Sequence, residues 1–67
     1  MEGISIKEYW IARDENGELF LYEEQPVKDE RTGRFKVYGK FFPISFELFP
    51  EVAYENSPRK MEINIIE

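Results

Sequence analysis

Residues 9 to 24 read YWIARDENGELFLYEE, two runs of aromatic and branched apolar residues on either side of a turn. That arrangement is a β-hairpin, and its register fixes which side chains share a face. Two registers present themselves. A two-residue Asn16-Gly17 loop makes a type I′ turn. Alternatively, Asp14-Glu15-Asn16-Gly17 forms a type I turn with Gly17 left-handed in a bulge. The second is preferred, because Asp favours the first position of a type I turn and Gly the fourth. It places Trp10, Ala12, Phe20 and Tyr22 on one face, and Ile11, Leu19 and Leu21 on the other. Both faces are then apolar. A hairpin of this kind needs cover on both sides, or keeps one face for a partner.

Outward from the hairpin, turn signals recur at short intervals: Pro26, Thr32-Gly33, Gly39, Pro43, Pro50 and Asn56-Ser57-Pro58. The runs between them are rich in Val, Ile, Tyr and Phe, and none of about ten residues carries a helical period. The expectation is one all-β domain over residues 1 to 67, with residues 1 to 5 poorly ordered. Its architecture should be a small antiparallel hairpin meander or partly open barrel of about five to six short strands with one short helical turn.

The segment PVKDERTGRFKVYG, from Pro26, reads as a second hairpin with its turn at Arg31-Thr32-Gly33, charged and projecting into solvent. The segment FFPISFELFPEV, residues 41 to 52, is bracketed by Pro43 and Pro50. Proline lacks a backbone donor and keeps its predecessor out of the helical region. Regular structure is therefore expected only from Ser45 to Leu48, with Ser45 capping one helical turn. A single turn is unstable alone, so Phe46, Leu48 or Phe49 should plug the open face of the first hairpin. The core reading is preferred over an exposed patch, although Phe41 or Phe42 should remain exposed. The segment EVAYENSPRKMEINII reads as a third hairpin turning at Asn56-Ser57-Pro58, with Met61, Ile63 and Ile65 on its inner face. The expected core comprises Trp10 or Ile11, Phe20 or Leu21, Leu48, Phe49, Val52, Tyr54, Ile63 and Ile65.

Composition narrows the function. The chain has 67 residues and neither Cys nor His, which removes disulfides, the usual zinc sites and Ser-His or Cys-His catalysis. Eleven aromatics must therefore supply most of the core. Its fourteen carboxylates read as solvated surface, since neighbours such as Glu23-Glu24 alternate sides of a strand. Asp14 to Glu18 lacks the Gly and Glu spacing of an EF-hand loop. No enzyme activity and no cofactor are expected. A net charge of −5 disfavours generic nucleic-acid and anionic-lipid binding. With no apolar run long enough for a membrane span and no signal-peptide pattern, a cytoplasmic protein without a membrane partner is expected.

Charge is unevenly distributed. Residues 28 to 40 carry five basic groups against two acids, and the rest of the chain four against twelve. The favoured expectation is a non-catalytic protein–protein interaction module or accessory protein, with Trp10, Tyr22, Arg31, Arg34, Phe35, Lys36 and Tyr38 on its contact surface. The alternative is a single-stranded nucleic-acid binder using the basic hairpin 28 to 40, through Arg31, Arg34, Lys36, Phe35 and Tyr38. A monomer, or a weak homodimer through an edge strand such as Met61 to Ile66, is expected.

The strings YWIARDENGELFLYEEQP, LFPEVAYENSP and the closing MEINII together resemble a family of small uncharacterised proteins from gut Bacteroidetes and their phages and mobile elements. The shared pattern is roughly YxIARDxxGxLxLF followed by LFPEVxxENSP and an alternating strand. The match spans most of the chain and is weaker over residues 27 to 44. The resemblance implies a stand-alone cytoplasmic protein and brings no catalytic, metal or cofactor residue with it.

Overall fold

A computed structural model describes residues 3–66. It contains six strands: β1 (Ile4–Arg13), β2 (Leu19–Tyr22), β3 (Val27–Asp29), β4 (Arg34–Lys36), β5 (Phe41–Ile44) and β6 (Arg59–Ile66). They form a four-stranded antiparallel sheet in the order β5-β2-β1-β6 and a separate β3-β4 hairpin. The all-β reading holds. Neither sheet closes into a barrel, and among the described residues there is no helix.

The first hairpin has the preferred register. Trp10 pairs with Tyr22, Ile11 with Leu21, Ala12 with Phe20 and Arg13 with Leu19. Its turn is closed by Gly17 N–H donating to the Asp14 carbonyl at 2.9 Å and by Asp14 N–H donating to Glu18 at 2.8 Å. Gly17 sits at φ +98°, a region that an L side chain rarely enters.

Both faces of that hairpin are covered. On one, Ile11, Leu19 and Val52 are buried together, with Leu21, Ile44 and Met61 packed around them. On the other, Ala12, Tyr22 and Phe35 are buried, flanked by Trp10, Phe20 and Tyr54. Phe35 belongs to β4, so the charged second hairpin does not project freely. It lies on the sheet, fixed where Glu15 N–H donates to the Gly33 carbonyl at 2.8 Å. The approach there is close, because a Cβ on Gly33 would lie 2.9 Å from Glu15 Cβ. Phe35, the aromatic centre of the second hairpin, faces the apolar sheet, while its neighbours Arg34 and Lys36, with Val27, Val37 and Tyr38, are exposed.

Two further expectations are corrected, and a third is met by a turn rather than a helix. β5 runs through Pro43 rather than being excluded by it, because β5 is an edge strand and a missing donor costs nothing on its open side. The turn expected from Ser45 to Leu48 is present without becoming a helix, closed by Leu48 N–H to the Ser45 carbonyl at 3.1 Å with Ser45 Oγ accepting from Glu47 N–H as the cap. There is no third hairpin. β6 pairs with β1 from Ile4↔Ile66 to Ile11↔Arg59, and residues 45 to 58 form the crossing between the two sheet edges. Of the expected core, Ile11 and Val52 are buried, and Leu21, Tyr54 and Ile63 are partly buried. Leu48 and Phe49 are not core residues. The side chain of Ile65 and all of Met1 and Glu2 lie outside the described residues.

Candidate functional site

The crossing segment from Ser45 to Val52 lies over the Ile11 and Leu19 face of the sheet. A chain crossing an apolar face must still satisfy its own carbonyls. Arg13 supplies the donors. It lies on the same face as Ile11, two residues along β1. Its Nε donates to the Val52 carbonyl at 2.6 Å. One terminal nitrogen donates to Gly17 at 2.8 Å and Phe46 at 3.0 Å, and the other to Leu48 at 3.1 Å and Phe49 at 3.2 Å. A guanidinium has five N–H donors, and each meets a carbonyl here.

This arrangement turns the segment inside out. Its carbonyls converge on Arg13, and from Phe46 to Phe49 its side chains point to solvent. Phe46 is 68% exposed, Leu48 50% and Phe49 36%. Phe49 also adopts φ +51°, uncommon for an aromatic residue, and redirects the chain so that Val52 can enter the core. Val52 N–H then donates to the Phe49 carbonyl at 2.9 Å. Phe42, opposite Leu21 in β5, is 46% exposed on the same face of the sheet. Exposed Glu18, Glu47 and Glu51 lie around this apolar ridge, and exposed Arg59 and Lys60 share a shallow groove with Phe49 and Glu51.

The far end of the crossing is also tied down. Asn56 Oδ1 accepts from Ala53 N–H, and its amide donates to the Glu51 carbonyl, both at 2.9 Å. Ser57 is buried, with Oγ accepting from Arg13 N–H at 3.0 Å and donating to the Ala53 carbonyl. The Ser57–Pro58 peptide is cis.

The residues expected on a contact surface are divided. Arg31, Arg34, Lys36 and Tyr38 are exposed, and Trp10 is half-buried. Tyr22 and Phe35 are 3% and 8% exposed and are core residues, not surface. Phe35 packs edge-on to Tyr54, with centroids 6.0 Å apart, and Tyr22 stacks on Phe41 at the same separation. The basic hairpin is thus left without its central aromatic. Lys28 is turned inward, donating to the Tyr54 carbonyl at 2.7 Å with its ammonium 4.3 Å from the Tyr54 ring centre. Arg31 contacts Asp29, whose carboxylate is held below its ordinary pKa chiefly by the Arg31 backbone N–H.

One buried carboxylate stands apart. Asp14 is 4% exposed, and its Oδ1 has no hydrogen-bond partner. Burial raises its pKa, Arg34 partly opposes this, and Glu18 adds to it. Burial and the nearby Asp14 push the Tyr22 hydroxyl up to about 12. Among the described residues no three His, Cys, Asp or Glu side chains are grouped to hold a metal, and no helix is long and apolar enough to cross a membrane.

The exposed ridge had one legible signal in the sequence. Arg13 occupies a strand position where alternation with Ile11 calls for an apolar residue. A cation there requires acceptors nearby, and the proline-bracketed segment provides them. Neither a family model, nor a curated protein, nor a solved structure matches the chain.

Proposed function

We propose that this chain is a non-catalytic protein-interaction module whose contact surface is the ridge formed by Phe42, Phe46, Leu48 and Phe49. The observation that carries this reading is the outward display of three adjacent large apolar side chains on a backbone held by Arg13. Exposed apolar clusters rimmed by polar groups mark interaction sites. A ridge already fixed in position loses little conformational freedom on binding. Its rim carries both signs, Glu18, Glu47 and Glu51 with Arg59 and Lys60, which suits an apolar cleft with a mixed polar rim. Cytoplasmic location and kinship with the small Bacteroidetes and phage proteins belong to the same proposal and rest on the sequence pattern.

The single-stranded nucleic-acid reading has less support, because Phe35 is unavailable for base stacking. The deciding experiment is affinity capture from host lysate using three forms: native, Phe46→Ser with Leu48→Ser, and Arg31→Glu with Arg34→Glu. A protein retained by the native and arginine forms and lost from the loop form supports the interaction ridge. Nucleic acid lost from the arginine form and at raised salt would replace it with the alternative.

A further inference from the structure

The two edges of the main sheet are unequal. β5 has four residues, and Pro43 within it offers no N–H to a new strand. β6 has eight residues and no proline, and among the described residues no strand lies outside it. Its pairing with β1 is an unbroken run of eight residue pairs with no bulge. Edge strands are ordinarily blunted by proline, bulges or charged side chains, lysine above all. The charges of β6, Arg59, Lys60 and Glu62, lie in its first half, and Lys60 is drawn to Glu8 of β1 at 3.0 Å; Ile63 to Ile66 carry none.

The ribbon is also under-supported. β2 covers β1 only from Trp10 to Arg13, whereas β6 follows it from Ile4 to Ile11. Beyond Trp10 the sheet narrows to two strands. The molecule measures 49 × 24 × 17 Å with a radius of gyration of 13.0 Å, against about 11 Å for a compact chain of this length. A two-stranded ribbon in water is marginal, and a third strand supplies what it lacks.

We infer that the outer edge of β6 receives β6 of a second copy of this chain, antiparallel about a two-fold axis at Ile63. Ile63 then faces Ile63 of the second copy, and Glu62 faces Asn64, once on each side of the axis. This register overlaps seven residues, Lys60 to Ile66. Centring on Glu62 would set two carboxylates directly opposite each other, which is destabilising. Centring on Met61 or Asn64 would shorten the overlap within β6 to five residues. The two-fold arrangement closes on itself, whereas a head-to-tail arrangement would propagate.

The axis stands perpendicular to the joined sheet, so each face continues into the same face of the second copy. Both Phe46 ridges therefore emerge on one side. A pair of linked ridges binds a repeated or clustered target more tightly than either alone. The dimer itself does not depend on the ridge binding anything.

The test is sedimentation equilibrium of the full chain from micromolar to millimolar concentration. Asn64 is exposed, so its variants leave the fold intact, as circular dichroism will verify. Asn64→Glu sets a carboxylate against Glu62 twice per dimer and raises the dissociation constant roughly tenfold, whereas Asn64→Lys lowers it by a similar factor. Phe46→Ser leaves it unchanged. A native chain that stays monomeric throughout, a dimer indifferent to both Asn64 variants, or a dimer lost with Phe46→Ser would each overturn the inference. Such a failure would leave the capture experiment on the ridge unaffected.

Discussion

Arg13 donates from Nε to the carbonyl oxygen of Val52 at 2.6 Å, across 39 positions of the chain. The bond joins the turn end of the first hairpin to the point where the crossing segment re-enters the core. The other four donors of the same guanidinium hold Gly17, Phe46, Leu48 and Phe49. Replacing Arg13 by Met keeps much of the side-chain volume and removes every one of these bonds. The expected loss is about 3 kcal/mol in urea unfolding, since hydrogen bonds from charged donors are individually strong. Arg13→Lys should recover little of it, because an ammonium cannot reproduce the planar fork. A Lys variant as stable as the native chain would show that the bonds contribute little.

Exposed and buried apolar residues should separate cleanly in stability. Phe46→Ser and Leu48→Ser are expected within about 0.5 kcal/mol of native, as for other surface positions. Leu19→Ala opens a cavity beside Ile11 and Val52 and should cost about 3 kcal/mol. Thermal and urea unfolding of the three variants provide the comparison.

Asp14 gives a pH dependence of unusual sign. Its pKa is raised in the fold, so between the unfolded and folded values the folded state binds more protons. Its contribution to stability is therefore greatest below the unfolded value and falls as pH rises through the folded one. Asp14→Asn cannot ionise and keeps a residue suited to the first turn position. At pH 7 it is expected to be more stable than native by up to about 1 kcal/mol, with the gap closing toward pH 3. Asp29 acts in the opposite sense. Its pKa is lowered, so its contribution is present above the unfolded value and is lost as pH falls. Unfolding curves of native and Asp14→Asn chains, measured from pH 3 to 7, isolate the first effect from the second.

The two glycine turns differ in what surrounds them. Gly17→Ala meets open space, and its cost is backbone strain at φ +98°, about 1 kcal/mol. Gly33→Ala, at φ +73°, also drives a methyl against Glu15. It should cost more, and shortening the obstacle with Glu15→Gly should recover part of the difference. Equal costs for the two alanines would mean that the packing between the turns is slack.

The first hairpin was legible in detail because its information is local. Asp14 and Gly17 name the turn, and alternation then assigns both faces. Phe35 was harder, since a strand residue between Arg34 and Lys36 gives no sign of whether its ring meets water or another sheet. The crossing segment misled for a different reason. Phe46, Leu48 and Phe49 look like core by composition, but burial is decided by where their carbonyls find donors. Those donors belong to Arg13, more than thirty residues away. β6 showed the alternation of a paired strand without naming its partner, and Asn56-Ser57-Pro58 suggested a nearby one.

The β1–β6 pairing sets an order of events in folding. Its residue pairs are separated by 48 positions, Ile11 to Arg59, up to 62, Ile4 to Ile66. The β1–β2 hairpin closes over a short loop, so it can form in microseconds, ahead of the rest. The long closure carries a high contact order and should govern the overall rate. Until β6 arrives, β1 has one side open and Ile11 and Leu19 lie without their full cover. The refolding chain is then most prone to pair with its neighbours, and the yield of refolding should fall with protein concentration sooner than its equilibrium stability suggests.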